Sequence, residues 1–235
     1  MQTLVITRPK ADATKLSRRL MEKGFNCIVE PILTIRTLHE NARTLEYALE
    51  RKPQAILVTS KYAVDALAAM TEKRSIPIVA VGRATAEHAL HLGFSQAVFA
   101  RGNAHSLITY VNGNYSPENG GMIYIRGIEV SMDIAARLAR NSFMVDSVTL
   151  YQAKAVKKLS ETLCAAVREG RVDGVLFFSQ NTAKVYADLV VAAGIAEVHD
   201  TVTALCMSRP IADKVATLLK WKVVTLFPEY LRNIV

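Results

Sequence analysis

The chain has 235 residues, 51% apolar and 21% charged, which allows one large or two small packed domains and excludes a disordered chain. Its formal net charge of +8 and pI near 9.5 point to anionic partners: nucleic acid, anionic lipid or an acidic metabolite. Lys and Arg are scattered, however, in runs no longer than two, without the basic stripes and interleaved aromatics of a nucleic-acid binder. No apolar run reaches membrane-spanning length, and MQTLVITRPK lacks the basic start and apolar centre of a signal peptide, so a cytosolic protein is expected. Cys27, Cys164 and Cys206 stand apart, which argues against a zinc site or a disulfide framework.

In chain order, TLVITR (3–8) is a short β-branched run and predicts a buried strand, stopped by Pro9. A helix to about Lys23 follows, with Ala13, Leu16, Leu20 and Met21 on one face and Gly24 closing it. The next strand is 27–31. ILTIRTL (32–38) alternates polar and apolar residues and reads as an exposed ribbon. The pattern then predicts helix 42–51, strand 55–59, helix 61–71, strand 78–81 and helix 84–92, closed by Gly93. Strand 97–100, helix 104–112, a surface loop over 112–121, strand 122–126 and helix 129–140 complete this block. DSVTLYQA (146–153) alternates again and is a return partner for 32–38. Beyond it come helix 158–169, strand 173–178, helix 181–193, strand 201–205, helix 209–220, strand 222–226 and a terminal helical turn.

The chain says nearly the same thing twice. AILVTSKYAVDA (55–66) and GVLFFSQNTAKVYA (174–187) are each a buried strand ending at a hydroxyl and running into a helix. Each is followed by a second such unit, IVAVGRATAEHAL (78–90) and TALCMSRPIADKV (203–215). Regular alternation implies α/β architecture with parallel sheets wrapped by helices. Residues 1–34 and 154–235 are expected to form one domain and 39–145 an inserted second, with 35–38 and 146–153 as a two-stranded linker. Ligands of such sheets bind at the carboxyl ends of strands, which predicts a site in a cleft between the domains.

GxxxxGK[ST], HExxH, GxSxG and GxGxxG are all absent, and the five histidines are scattered. An enzyme with this sequence would position a reactive substrate rather than supply a strong nucleophile. What does gather at the predicted strand ends is hydroxyl and cation: Thr7 and Arg8; Thr59, Ser60 and Lys61; Gly82, Arg83 and Thr85; Arg126 and Gly127; Ser179; Ser208 and Arg209. Each Ser or Thr can be a helix N-cap. As a set, capped helices with adjoining cations make an anion-binding surface.

These motifs resemble the uroporphyrinogen-III synthase family over essentially the whole chain: LVITRP (4–9), VTSKYAV (58–64), AVGRATA (80–86), IYIRG (123–127), TLYQA (149–153), FFSQNTAKVY (177–186) and SRPIAD (208–213), in that order. The resemblance implies two flavodoxin-like domains joined by a two-stranded β ladder. It implies a lyase that cyclises hydroxymethylbilane, a linear tetrapyrrole with eight carboxylates, to uroporphyrinogen III with inversion of ring D and loss of water, without a cofactor or metal. Carried over by motif, Ser60, Thr85 and Ser179 bind substrate, and Ser208 is the best match in a last loop, CMSRPIA, that departs from the family's glycine and paired threonines. Arg8, Lys61, Arg83, Arg126, Gly127, Gln180 and Arg209 adjoin them as binding candidates. Tyr151 in TLYQA is the proton donor to the departing hydroxyl or its positioner; the competing reading makes it an aromatic anchor of the linker. The expected partners are the small-molecule substrate and, transiently, the preceding enzyme of the pathway, with no nucleic acid or membrane and a monomeric state. The alternative reading is a non-catalytic two-domain module that binds an anionic ligand.

Overall fold

In the computed structural model, which describes residues 1–130 and 132–235, the strand–helix alternation builds two compact units, Met1–Thr34 with Lys154–Val235 and Ile35–Ala153. The first unit begins with β1 (Thr3–Ile6), α1 (Lys10–Met21) and β2 (Asn26–Val29). Strand β3 (Leu33–Thr37) carries the chain into the second unit, which continues with α2 (Ala42–Glu50), β4 (Ala55–Val58), α3 (Lys61–Met70), β5 (Ile78–Ala80) and α4 (Arg83–His91). It is completed by β6 (Ala97–Phe99), α5 (Ala104–Asn114), β7 (Met122–Gly127), α6 (Ile134–Ala139) and β8 (Val145–Ala155). The first unit resumes with α7 (Glu161–Arg168), β9 (Gly174–Phe177), α8 (Gln180–Ala192), β10 (Thr203–Cys206), α9 (Arg209–Ala216), β11 (Val223–Leu226) and α10 (Glu229–Arg232).

The first unit's sheet runs β11-β10-β9-β1-β2, parallel throughout. Numbered by appearance within the unit, this is the flavodoxin-like order 2-1-3-4-5, whose direction of winding reverses between β1 and β9. The second sheet runs β3-β8-β7-β4-β5-β6, with β4 to β8 parallel and a reversal between β4 and β7. The two arrangements are permutations of one another: β1-α1-β2 stands to β9-β10-β11 as β7-α6-β8 stands to β4-β5-β6. The repeated sequence segments are therefore β4–α3 and β9–α8, each beside its sheet's reversal point.

Both faces of each sheet are covered, as the near-continuous apolar strands require. Ala55–Val58 of β4 is buried at every position, and each large aliphatic among them contributes about 1.5–3 kcal/mol relative to exposure. Phe177, Tyr186 and Trp221 pack on one face of the first sheet, and Leu4, Leu16, Leu20 and Phe227 on the other. Among the described residues of that unit Thr7, Glu30, Thr182 and His199 are buried polar groups, and two of them fix its interior. Glu30 accepts from the Ser160 amide at 2.8 Å and from the Ser160 hydroxyl, fixing the start of α7. His199 donates through Nδ1 to the Ile195 carbonyl at 2.9 Å and shares a 3.0 Å hydrogen bond between Nε2 and the Tyr186 hydroxyl, and burial lowers its pKa, which favours the neutral form. Gly24 and Gly93 close α1 and α4 at φ 85° and 88°, as their positions in the sequence predict.

Three sequence expectations are corrected. The helix expected over 129–140 begins only at Ile134, because the Asp133 side chain caps it by accepting from the Ala136 amide at 2.9 Å; Ser131 lies outside the described residues. Met21, expected on the buried face of α1, is exposed, since the buried stripe is Ala13, Leu16 and Leu20. The ribbon 146–153 is longer and less free than its alternation suggests. β8 hydrogen-bonds antiparallel to β3, with Leu38 N–H to Leu150 O and Val156 N–H to Ile32 O, and its other edge joins the sheet beside β7. Among the described residues no helix is long and apolar enough to cross a membrane.

Candidate functional site

In the second unit the reversal point lies between the carboxyl ends of β4 and β7, where an open parallel sheet forms its crevice. β4 delivers Thr59 and Ser60 there, and β7 delivers Arg126 and Gly127. Ser60 is extended, at φ −148° and ψ 148°, and its Oγ caps α3 by accepting from the Tyr62 amide at 3.1 Å. Lys61 follows on the first turn and is paired with no carboxylate among the described residues. Gly82 stands at the start of α4 without a side chain to cap it, so Arg83 and the nearly buried Thr85 sit on a helix terminus open to an anion.

Tyr151 reaches the same place through a β-bulge. β8 pairs Thr149 with Arg126 and then Tyr151 with Gly127, so Leu150 is the extra residue. Leu150 is buried, and the bulge re-aims Tyr151. Its ring lies directly on Gly127: a Cβ there would come within 2.9 Å of Cε2, 3.0 Å of Cζ and 3.3 Å of the hydroxyl. Burial pushes the Tyr151 phenol above its ordinary range, opposed by the Ser60 side chain, the Arg126 charge and the Gly127 backbone. The result is a phenol that is protonated at neutral pH, with groups around it that favour the phenolate. Thr59, Tyr124, Gly127, Glu129, Ile134 and Tyr151 line a pocket of about 290 Å³ at this point. Tyr124, hydrogen-bonded by Thr59, is likewise shifted upward by burial.

Arg126 turns its guanidinium to the main chain, donating from Nε to Gly127 O at 2.9 Å and from Nη2 to Ile128 O at 2.6 Å. It shapes the turn after β7 and presents charge to Tyr151, rather than extending as a free arm.

In the first unit the reversal point lies between β1 and β9. Thr7 is buried and donates to Leu176 O across it at 2.9 Å. Arg8 stacks 4.7 Å from the Phe178 centroid and pairs with Asp12 at 2.8 Å. Ser179 caps α8, accepting from the Thr182 amide at 3.1 Å, with the Thr182 hydroxyl 2.7 Å away. Gln180 ties the start of α8 to that of α9 by donating to Pro210 O at 2.8 Å. Ser208 holds the N-cap conformation of α9, but its hydroxyl caps nothing. Arg209 pairs with Asp213 at 2.9 Å and is 81% exposed.

The structure thus places Gly127 and Tyr151 on one pocket with Ser60 and Arg126 acting on Tyr151, and sets Arg8, Ser179, Gln180, Ser208 and Arg209 along the carboxyl edge of the other sheet. Sequence reasoning missed Tyr124 and Glu129. The signal for Tyr124 was a phenol interrupting the apolar strand IYI. Among the described residues no group of three or more His, Cys, Asp or Glu is arranged to hold a metal ion.

Residues 14–230 match the family model described as uroporphyrinogen-III synthase HemD. Two solved structures share the fold. A uroporphyrinogen-III synthetase from Helicobacter pylori is 16% identical with a TM-score of 0.64, covering 98% of this chain and 95% of that one. A mutant uroporphyrinogen III synthase from Thermus thermophilus is also 16% identical with a TM-score of 0.59, covering 100% and 96%. No curated protein matches the chain. With the family model spanning nearly all of the sequence, on a fold shared with two such synthases, the chain belongs to the uroporphyrinogen-III synthase family.

Proposed function

We propose that the protein closes hydroxymethylbilane to uroporphyrinogen III, inverting ring D and releasing water, as a hydro-lyase of tetrapyrrole biosynthesis. The observation that carries this reading is the Tyr151 phenol, protonated and set over Gly127 in a pocket at a sheet's reversal point. The reaction breaks the C–O bond at the hydroxymethyl carbon, and inversion moves the bridge of ring D from one α carbon to the other, so that one C–C bond breaks, two form, and the ring proton released returns to the phenol oxygen; water leaves and there is no net redox change. Departure of hydroxide needs a proton or a strong hydrogen bond, and Tyr151 supplies it. Ser60, Gly127 and Arg126 stabilise the negative charge that gathers on the phenol oxygen as it does so. The cation left behind on the substrate is reactive enough to close unaided to the uninverted isomer. The protein's main contribution is therefore orientation. Hydroxyls, amides and cations at strand ends suit carboxylates: Ser60, Lys61, Arg83 and Thr85 at the second unit's sheet, and Ser179, Ser208 and Arg209 at the first unit's sheet.

The test is isomer analysis of the uroporphyrin formed when the protein meets bilane generated in place. Uroporphyrin III is expected. Uroporphyrin I alone, in the amount that forms without protein, overturns the reading. Tyr151→Phe should lower kcat by about 10- to 100-fold, the range a positioned proton donor contributes at its lower end.

A further inference from the structure

Two guanidinium groups converge on one aromatic ring at the edge of the second unit. Arg83 lies 5.4 Å and Arg101 5.8 Å from the Phe99 centroid. One comes from the first turn of α4 and the other from the turn between β6 and α5. Neither is paired with a carboxylate among the described residues, whereas Arg8, Arg36 and Arg209 each hold an acid four residues on in their own sequence. Two exposed cations held on one ring concentrate positive charge that a bound anion neutralises.

The backbone under Arg101 is the second observation. Arg101 has φ 55°, in the left-handed region that favours glycine. Among the described residues the other two non-glycine cases are Lys52 and Ser142, which follow the ends of α2 and α6, where that conformation is ordinary. Arg101 instead precedes a helix, in a turn pinned from both sides. Ala100 N–H bonds Ala80 O at 3.0 Å and Gly102 N–H bonds Val81 O at 3.4 Å, while Asn103 and Ser106 form a capping box. Strain of this kind persists where the side chain it presents has a use. The turn also adjoins the Tyr151 pocket, which Val81 and Ala104 help to line.

We infer that Arg83 and Arg101, steadied on the Phe99 ring, form a clamp for one carboxylate side chain of the substrate. A guanidinium presents paired donors that match a carboxylate, and two of them around one carboxylate set its position as well as its charge. The clamp rests on the reading of the substrate as a polycarboxylate tetrapyrrole. It adds Arg101 and Phe99 to the binding residues and gives Arg83 a defined partner.

The experiment replaces Arg101 with Gly, which removes the guanidinium and relieves the backbone at once. Uroporphyrin III, an octacarboxylate, is the probe, titrated by its fluorescence, and bilane turnover and melting temperature are measured alongside. Arg101→Gly should weaken uroporphyrin binding about 10-fold and raise KM for bilane to a similar extent, the value of a hydrogen-bonded charge contact. Its kcat should change little and its melting temperature should hold or rise. Arg83→Gln should weaken binding in the same way. Lys23→Gln, which removes an exposed charge beside the Gly24 turn of the first unit, should leave it unchanged. The clamp is overturned if Arg101→Gly binds uroporphyrin like the wild type. A fall in its melting temperature instead assigns Arg101 to structure, and equal weakening by Lys23→Gln assigns the effect to net charge; either result also overturns the clamp. If the wild type fails to make uroporphyrinogen III while Arg101→Gly still loses affinity, the clamp stands and the proposed reaction falls.

Discussion

Gly127→Ala isolates the contact between β7 and Tyr151. The added methyl would stand 2.9 Å from Cε2 and 3.0 Å from Cζ of the ring. Unstrained carbon contacts are about 3.5–4.0 Å, so the ring must retreat by roughly 0.5–1 Å. The atoms struck are the far end of a side chain that can swing, which keeps the stability cost within about 1–3 kcal/mol for overpacking. At this chain length that lowers the melting temperature by about 2–4 °C per kcal/mol. Catalysis is more sensitive, because a misplacement of about 1 Å can cost on the order of 100-fold. The expected result is a loss in kcat of roughly 10- to 100-fold, comparable to Tyr151→Phe, in a protein that melts within several degrees of the wild type. The assay is bilane consumption with isomer analysis on both single variants and the double variant. If Gly127 acts only by letting the phenol take its place, the double variant is no slower than the slower single one. A Gly127→Ala protein with wild-type kcat would refute the claim that ring position matters. Strictly additive losses would show that Gly127 meets the substrate directly.

Other expectations follow from particular contacts. Ser179→Ala removes an N-cap and should cost about 1 kcal/mol. Ser208→Ala removes a hydroxyl that caps nothing and should leave thermal stability unchanged while raising KM, so equal effects of the two on melting temperature would contradict the contrast drawn between them. Burial pushes the His199 pKa below its ordinary 6.5, so the folded state binds fewer protons than the unfolded state below that pH. Its contribution to stability is complete above pH 6.5 and is lost as the pH falls through the folded pKa. Urea unfolding at about pH 7 and about pH 5 should therefore show a smaller acid loss in His199→Gln than in the wild type. Uroporphyrin binding should weaken as salt is raised through about 0.1 M, where the Debye length is ~10 Å; salt-independent affinity would speak against carboxylate recognition by exposed cations.

The strands and most helices were legible because buried parallel strands are continuous apolar runs and amphipathic helices keep their period. Helix starts were less so. Asp133 and Ser160 are good caps, yet EVSMD and VKKLS preceding them carry enough apolar character to read as helix until the capping bonds are seen. The pairings of Arg8 with Asp12 and Arg209 with Asp213 were readable from i,i+4 spacing, and they show that a cation at a strand end can already be engaged. What sequence could not give was distance. The bulge at Leu150, the ring resting on Gly127 and the approach of Arg83 and Arg101 to the Phe99 ring depend on register between separate segments, and the return of Arg126 to its own main chain depends on the turn after β7. Tyr151, Gly127 and the neighbouring Ser60 came from motifs, whereas Tyr124 stood within the motif IYIRG but is set on the pocket only by the three-dimensional arrangement.

The permuted strand orders bear on how the chain folds as it is made. Ile35–Ala153 is one continuous stretch that carries all of its six-stranded sheet except the outer ends of β3 and β8, so it can fold once it has left the ribosome. The opening β1-α1-β2 segment has no such independence. Its open edge pairs with β9, with Leu4 opposite Gly174, and that strand is synthesised only after the whole second unit. During the interval β1 exposes an unpaired edge and an apolar strand, a state prone to wrong pairing. A similar strand, β7, belongs beside β4, whose sequence resembles that of β9. Early completion of the second unit removes this competitor, because β4 is already flanked by β5 and β7 when β1 is still waiting. β4 nevertheless leaves the ribosome before β7, so β1 meets the look-alike strand first and is shielded from it only once β7 is in place; a circularly permuted chain that made β9 before β4 would give β1 its own partner first.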